Sequence, residues 1–326
     1  MKKVISLILS VIFALSLFTA CGGEGSDPTG LDTNYKVAIV QQLDHSSLDE
    51  IRHAVELELS RLGQEKEIGI TVVNYNGQND ASVMNQIGTE IMSEGFDMII
   101  PIATTAAQIM VTAADGRIPV VYAAVSDPAG AGLTGFADVT GVSDALNTPF
   151  ILDMMFAADP DIGCVGLLYS LSEPNSELPI KEAKEYLDAR GIAYIEKTGN
   201  TADEVITAAS ALVGRCDAVF TPTDNAIMNV APSVAEILLN AGIAHYTGAD
   251  SFVQAGSFVT CGVNYTDLGA YAATMAMDIL LGGEVPEFHV MEGGIITVNT
   301  DTAAALGLDY SVFSTMGQIV EVTTAE

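Results

Sequence analysis

The side chains that could bind a small molecule lie where predicted strands end and helices begin. They fall in short polar segments of an otherwise apolar chain and carry mainly hydroxyl, amide or carboxylate groups. In parallel sheets, ligands bind beyond the carboxyl ends of strands, near helix N-termini. The sequence therefore predicts a binding cleft, and the candidate ligand-binding residues are Gln41, His45, Asn79, Thr104, Thr105, Ser126, Asp127, Asn175, Ser176, Asp224, Asn225, Asp250 and Asn264.

These segments contain no Arg and no Lys. Phosphate and dicarboxylate ligands usually recruit a bidentate Arg, so they are disfavoured. A zwitterion fits better, because Thr104 and Thr105 at a helix start could receive its carboxylate. Asp224 or Asp250 could pair with its ammonium. Neutral hydrogen bonds would come from Ser126, Asn175, Ser176 and Asn225, while simple helix capping is the alternative role for Thr104, Thr105, Asp224 and Asn225.

Catalytic chemistry has weaker support in the sequence. A hydrolase would have to combine His45 with Ser126 or Ser176, yet the chain has no G-x-S-x-G motif. A hydrogen-bonding role in the cleft wall is favoured for His45. Paired carboxylates for glycoside hydrolysis could be drawn from the aspartates, but such residues are equally expected to cap helices. The candidates for that pair are Asp127, Asp224 and Asp250.

Cofactor and metal sites are not expected. Residues 130–135 satisfy G-x-G-x-x-G, but they lead into a predicted loop and short strand where a dinucleotide site needs a helix. No G-x-x-x-x-G-K-[ST] segment is present, so the chain should not itself hydrolyse ATP. The four histidines and four cysteines never fall at metal-ligand spacing. The sequence does not decide whether two of Cys164, Cys216 and Cys261 form a disulfide.

Length and charge exclude further classes. The 326 residues suggest two domains. With 12 Lys and Arg against 42 Asp and Glu, the formal net charge is −30, so nucleic acids and anionic membrane surfaces are unsuitable partners. Hydrophobic residues make up 49% of the chain, which is enough for a large core.

The elements that position the candidate residues alternate between strands and helices. Apolar runs rich in Val and Ile predict strands over residues 36–41, 70–75, 98–102, 119–123, 164–169, 193–197, 218–222, 244–247 and 257–263. Helices are predicted over residues 48–62, 81–94, 105–114, 177–189, 202–213 and 226–240. This alternation indicates an α/β protein built from right-handed βαβ units with parallel sheets.

The two halves of the chain resemble each other. Residues 97–106 align without gaps on residues 217–226, so that Thr104 corresponds to Asp224 and Thr105 to Asn225. In each segment a strand ends and polar residues introduce a helix. Two α/β lobes whose polar loops face each other are the simplest interpretation.

The N-terminus has the layout of an export signal. A basic start at residues 1–3 is followed by an apolar run over residues 4–18 that is short for a membrane span. Residues 17–21, LFTAC, resemble a bacterial lipobox, which predicts a signal peptide over residues 1–20 and lipidation of Cys21. The alternative is an ordinary signal peptide with Cys21 incidental. Residues 21–34, rich in Gly, Ser and Asp, predict a flexible tether.

Eight short segments occur in a fixed order along the chain. They are NGQND at 76–80, NQI at 85–87, ATTAAQ at 103–108, SDPAGAG at 126–132, TGVS at 140–143, PNS at 174–176, PTDN at 222–225 and GVNY at 262–265. This ordered set resembles the substrate-binding lipoproteins of ABC transporters, a family that includes tryptophan-binding and related aromatic amino-acid receptors. The resemblance extends from about residue 35 to residue 308.

The resemblance implies a type I periplasmic-binding-protein fold, with two doubly wound parallel-sheet lobes joined by three crossovers. Lobe 1 would comprise residues 35–142 plus 265–288, and lobe 2 residues 143–264 plus 289–326. Hinges of this type let two lobes rotate around a ligand. Tyr122, Tyr169 and Tyr265 could stack on an aromatic ligand, although each could equally belong to the core.

The resulting expectation is a non-catalytic, extracytoplasmic, lipid-anchored receptor of an ABC importer. It would close on a small solute, an amino acid or similar zwitterion, and present it to a permease driven by a separate ATPase. No cofactor and no nucleic acid are involved, and the membrane is contacted only through the anchor. Two alternatives are a receptor that reports its ligand to a signalling protein and a surface hydrolase that uses His45.

Overall fold

The protein was analysed as a computed structural model, which describes residues 34–325. The predicted signal peptide and the lipidation of Cys21 lie outside the described residues, as does nearly all of the predicted tether. Asn34, its last residue, already begins the first strand. Within residues 34–325, no helix is long and apolar enough to cross a membrane.

The first sheet has six parallel strands in the order β11-β5-β4-β3-β1-β2. Their bounds are β1 Asn34–Gln41, β2 Gly69–Asn76, β3 Met98–Ile102, β4 Val120–Ala123, β5 Val139–Ser143 and β11 His289–Val290. β3 and β4 are buried on both faces, because helices cover the two sides of the sheet.

The second sheet has seven strands in the order β13-β12-β10-β9-β8-β6-β7. Its pairs are parallel except for the antiparallel pair of β10 with β12. The bounds are β6 Cys164–Tyr169, β7 Ala193–Thr198, β8 Ala218–Thr221, β9 Ala244–Thr247, β10 Val259–Gly262, β12 Ile295–Asn299 and β13 Ile319–Val322.

Eleven α-helices connect these strands within the described residues. They are α1 Ser46–Glu65, α2 Ala81–Ser93, α3 Thr104–Ala114, α4 Thr148–Ala158, α5 Glu177–Arg190, α6 Ala202–Ser210, α7 Asn225–Met228, α8 Ala231–Asn240, α9 Asp250–Gln254, α10 Tyr265–Leu280 and α11 Thr300–Leu306. The predicted α/β class with two mainly parallel sheets is confirmed.

The helix predicted over residues 226–240 is broken in two. Helix α7 ends at Met228, and α8 begins at Ala231 with Pro232 in its first turn. In one continuous helix, the Pro232 ring would clash with the carbonyl of Met228, four residues earlier. The break keeps α7 as a single short turn at the edge of the cleft.

The chain passes between the two sheets three times, at residues 144–147, 263–264 and 291–294. After the second passage, α10 packs against α1 of the first lobe. A Cβ on Gly269 would lie 2.6 Å from the carbonyl oxygen of Ile51, so this close packing requires glycine. The predicted lobe boundary at residue 289 needs a correction, because the short strand His289–Val290 pairs with β5 of the first sheet.

Candidate functional site

A cavity of about 20 Å³ lies between the two lobes, at the carboxyl ends of the central strands. This volume holds about one water molecule, so a solute of amino-acid size needs the lobes further apart than they are here. The cavity is lined by His45, Ser47, Leu48, Ala103, Thr104, Ala124, Ser126, Asp144, Asn175, Thr223, Asp224, Asn225, Met228, Ala249, Phe252 and Tyr265.

Each of the strands β3 and β4 is followed directly by an alanine with a positive φ angle. Ala103 has φ of 79° and Ala124 has φ of 56°, and both residues line the cavity. Such a conformation costs an alanine on the order of 1–2 kcal/mol. Non-glycine residues in this region cluster at ligand-binding sites. Ala103 directly precedes α3 and brings the start of that helix to the cavity.

The start of α3 carries polar groups without partners in the protein. No side chain among the described residues caps this helix, so the N–H groups of its first turn are available to a bound group. The hydroxyls of Thr104 and Thr105 are buried and have no hydrogen-bond partner in residues 34–325. These hydroxyls are therefore free to bond a ligand or a water molecule.

The carboxyl group of Asp144 lies in the cavity wall at the first crossover. Its Oδ1 accepts a hydrogen bond from Ser126 Oγ at 2.9 Å, and Oδ2 accepts from the Tyr265 hydroxyl at 3.3 Å. Burial raises the pKa of Asp144 above its ordinary value. No Lys or Arg of the described residues forms an ion pair with it. Each oxygen keeps a free lone pair for a ligand.

Asp224, also in the wall, is largely occupied by its own lobe. Oδ2 accepts from the backbone N–H of Ser170 and from Ser176 Oγ, both at 2.7 Å, and Oδ1 accepts from Ile227 N–H at 3.0 Å. It is therefore the N-cap of α7. The sequence alignment of the two halves placed Thr104 opposite Asp224. In the structure the helix starts differ by one position, because Thr104 is the first helical residue of α3 and Asp224 is the N-cap of α7.

The remaining wall is apolar. Leu48, Met228 and Phe252 line the cavity together with Tyr265, and all four are buried. Of the three tyrosines considered for stacking, Tyr265 alone lines this cavity. Tyr122 belongs to the core of the first lobe, and the Tyr169 hydroxyl donates to Glu196. The wall offers two aromatic rings to a ligand.

Hydrogen bonds across the cleft hold the lobes closed. His45 Nε2 lies 3.0 Å from Asn225 Oδ1, and Ser126 Oγ lies 3.2 Å from Thr223 Oγ1. Two further contacts are those of Ser47 Oγ with Ser251 Oγ at 2.5 Å and of Gln42 Nε2 with Glu173 Oε1 at 2.9 Å.

The serine and histidine of the hydrolase hypothesis do not meet. Ser126 bonds to Asp144, Ser176 bonds to Asp224, and His45 bonds to Asn225. Burial lowers the pKa of His45 below 6.5, although the bond to Asn225 opposes this shift. His45 is thus a neutral hydrogen-bonding residue of the wall.

Six of the thirteen candidate residues line the cavity: His45, Thr104, Ser126, Asn175, Asp224 and Asn225. Thr105 and Ser176 lie directly behind it, next to Thr104 and Asp224. Asp250 begins α9, where burial raises its pKa and its Oδ1 has no partner within the described residues.

Four other candidates have structural hydrogen bonds away from the cavity. Gln41 donates to Asp49 and accepts from Arg52 within the first lobe. Asn79 accepts from Gln42, Asp127 accepts from the N–H of Gly130, and the exposed Asn264 caps α10. The bond to Asp127 closes the loop that contains the G-x-G-x-x-G glycines.

Asp144, Ala103, Ala124 and Phe252 belong to the site but were not among the sequence candidates. Asp144 lies in the first crossover, for which the sequence predicted only a hinge between the lobes. A strand-end position was the one signal for Ala103 and Ala124, and their side chains carry no chemistry. Glu173, buried beside the cavity, was also missed because its role depends on a contact with the other lobe.

Comparison with known proteins agrees with this geometry. The family model described as ABC transporter substrate binding protein matches residues 36–312, so the chain belongs to this family. The tyrosine-binding protein of Clostridioides difficile (strain R20291) is 30% identical over 322 residues, which cover 94% of this chain and 93% of that protein.

Two solved structures are similar over nearly their whole length. An ABC domain from Streptococcus pneumoniae in complex with L-Trp superposes with a TM-score of 0.81 at 27% identity, covering 88% of this chain and 100% of that chain. The ligand-free, open structure of a substrate-binding protein with adhesive properties from Clostridium difficile gives 0.68 at 30% identity, covering 89% and 100%.

The chain is therefore a solute-binding protein of an ABC transporter and not an enzyme. The type I periplasmic-binding-protein fold is confirmed by these neighbours. Such a protein works outside the cytoplasm. The closed arrangement of the lobes agrees with the higher similarity to the complex than to the open structure.

Proposed function

We propose that this protein binds a free amino acid with an aromatic side chain and delivers it to an ABC permease driven by a separate ATPase. The observation that carries the proposal is an interlobe cavity whose wall combines a buried carboxyl group, unpartnered hydroxyls at a helix start and two aromatic rings. Each feature suits one part of such a ligand.

The ammonium group would bind to Asp144. A buried carboxylate without a basic partner favours a cationic ligand group, which restores the charge balance of the site. Asp144 suits this role better than Asp224, whose oxygens already receive three hydrogen bonds from the second lobe. Asp250, the other sequence candidate, does not line the cavity.

The carboxylate would bind at the start of α3. The Thr104 hydroxyl and the first-turn N–H groups together provide donors, and the positive end of the helix dipole favours an anion. Helix α3 has 11 residues, so its dipole is well developed. The absence of Arg from the cavity wall limits the anion to a single carboxylate held by neutral donors.

The side chain would pack against Phe252, Tyr265, Leu48 and Met228. Aromatic pairs add roughly 0.5–1.5 kcal/mol beyond the area they bury, and methionine sulfur packs well on rings. The relatives support an aromatic ligand, since one is named for tyrosine and another was crystallised with L-Trp.

Mass spectrometry of small molecules released from the purified, denatured protein tests this function. Tyrosine or tryptophan at near-equal stoichiometry would support it, provided that adding the amino acid back raises the melting temperature. Release of a sugar or a nucleoside would contradict it. If no molecule is released, a melting-temperature screen of the amino acids decides, and no shift with any of them would contradict the proposal.

The lipid anchor at Cys21 belongs to the same proposal. Export and lipidation would hold the protein at the membrane surface, where its permease works. Metabolic labelling with a radioactive fatty acid should mark the wild-type protein, and Cys21→Ser should abolish the label and release the protein from the membrane fraction. Labelling of the C21S protein would contradict an anchor at Cys21.

A further inference from the structure

Beyond the binding site itself, we infer that Glu173 is a positioning residue that holds the lobes closed in its protonated form, so that closure on the ligand takes up one proton. This inference rests on the proposed function only through lobe closure and does not depend on the identity of the solute. Glu173 lies in the second lobe, just before the turn Pro174–Ser176.

Glu173 is the centre of a hydrogen-bonded chain that crosses the cleft twice. Its Oε1 accepts from Gln42 Nε2 of the first lobe at 2.9 Å, and its Oε2 accepts from Asn225 Nδ2 at 2.8 Å. Asn225 in turn bonds His45 of the first lobe at 3.0 Å. Glu173 thereby fixes two residues of the cavity wall, Asn225 and His45, although it does not itself line the cavity.

The surroundings of Glu173 disfavour a negative charge. The side chain is 1% exposed, and no Lys or Arg of residues 34–325 forms an ion pair with it. The charged group that faces it is the buried carboxyl of Asp224. Burial, followed by the charge of Asp224, raises the pKa of Glu173 to about 8, although the hydrogen bonds from Asn225 and Gln42 oppose this shift. Its contacts from the first lobe are through the neutral Gln42.

The hydrogen-bonded chain has an acceptor ready for the added proton. Gln42 Oε1 is buried and has no partner within the described residues. Turning the Gln42 amide by half a turn places Oε1 next to Glu173, where it can accept the O–H of the protonated acid, and moves the Nε2 donors to the buried place of Oε1. The exposed amide of Asn79, now bonded to Gln42, can turn with it and donate in place of accepting.

Closure should then be linked to pH. In open lobes, water reaches Glu173 and its pKa returns toward about 4.5, while in closed lobes it is about 8. Between these two values the closed state binds one more proton than the open state. The association constant should therefore fall as pH rises through this window, by up to about tenfold per pH unit, and level off on either side.

Calorimetric titration with L-tyrosine and L-tryptophan at pH 7.0, in two buffers of different ionisation enthalpy, counts the protons. The wild-type protein should take up more protons per ligand than Glu173→Gln, by up to about one, because glutamine resembles the protonated acid, donating to a turned Gln42 amide, but cannot titrate. His45 is present in both proteins, so the difference reports the Glu173–Asp224 carboxyl pair, which loses its titrating partner in E173Q. Equal proton uptake, or equal pH dependence of affinity from pH 6 to 8, would overturn the inference.

A locked variant tests Glu173 without any ligand. Ser47→Cys with Ser251→Cys places two thiols where the hydroxyl oxygens now lie 2.5 Å apart across the cleft. In the oxidised, disulfide-locked protein, the melting temperature should fall between pH 6 and pH 8. This fall should be steeper when residue 173 is Glu than when it is replaced by Gln. Parallel curves would refute the role of Glu173. Failure of both amino acids to bind would instead refute the proposed ligand and leave this comparison decisive.

Discussion

His45 of the first lobe and Asn225 of the second lobe meet across the cleft, with 3.0 Å between Nε2 and Oδ1. Both residues line the cavity, and Asn225 also donates to Glu173. One amide therefore joins the closed interface to the wall of the site. This arrangement links ligand binding to the closure of the lobes.

Asn225→Ala should weaken ligand binding about tenfold and speed dissociation. The substitution leaves His45 and Glu173 without their shared partner, and a buried unsatisfied group costs about 1–3 kcal/mol. Stopped-flow fluorescence and calorimetry measure the two effects. The matched control is Asn85→Ala on the exposed face of α2, which should change neither. An unchanged dissociation rate in N225A would argue against the coupling.

Asp144→Asn should reduce affinity for an amino acid by about tenfold or more. The change keeps the size of the side chain but removes the charge that would pair with the ammonium, and charge-assisted hydrogen bonds are roughly twice as strong as neutral ones. Calorimetry compares it with Asp278→Asn, an exposed aspartate of α10. If D144N binds normally while D224N does not, the ammonium binds at Asp224 as the sequence first suggested.

Thr104→Val should weaken binding while leaving the ligand-free protein as stable as before, or slightly more stable. The Thr104 hydroxyl is buried without a partner, so its removal relieves an unsatisfied group. Thr302→Val is the opposite case, because that hydroxyl donates to the Gly256 carbonyl at 2.8 Å in the core of the second lobe.

Denaturant unfolding should show a loss of about 1 kcal/mol for T302V, with unchanged affinity. A stability loss of that size in T104V, with normal binding, would assign Thr104 to the fold and not to the site. The two threonines thus separate a ligand-binding hydroxyl from a structural one.

His245 should make the protein less stable in acid. It is 2% exposed between Ser257 and Thr221, and burial lowers its pKa to about 3 from an ordinary 6.5. Because the unfolded state binds the proton more tightly, stability is full above pH 6.5 and falls as pH drops toward 3, at about 1.4 kcal/mol per pH unit.

Urea unfolding between pH 7 and 4 measures that slope. His245→Gln should reduce the dependence, whereas the exposed His53→Gln should not alter it. A wild-type slope equal to that of H245Q would show that the carboxyl groups alone cause the acid effect.

The sequence predicted the strands and helices of the fold more accurately than the residues of the binding site. Strands such as 98–102 and 164–169 were predicted with their observed bounds, because burial on both faces of the sheet leaves a continuous apolar run. The helix break before Pro232 was not predicted, although a proline inside a helical segment is itself a signal for such a break. The last lobe boundary was predicted two residues too early, because His289–Val290 has little strand signal.

For the site, strand ends pointed to Thr104, Ser126 and Asn225, which do line the cavity. Asp144 and Glu173 were not predicted, because their positions matter only once the two lobes face each other across a long sequence separation. Gln41 and Asn264 followed the same strand-end rule but bond within their own lobes. Strand-end position therefore identifies candidates for the cleft, and the way the two lobes face each other determines which of them line the cavity.

The central claim is that the cleft binds a zwitterionic aromatic amino acid, and calorimetric titration with matched ligands tests it most directly. L-tyrosine or L-tryptophan should bind at one site per chain with sub-millimolar affinity. Tyramine, which lacks the carboxylate, and 3-(4-hydroxyphenyl)propionate, which lacks the ammonium, should each bind at least about tenfold more weakly. Equal affinity for tyramine and tyrosine, or binding of none of these molecules, would contradict the account.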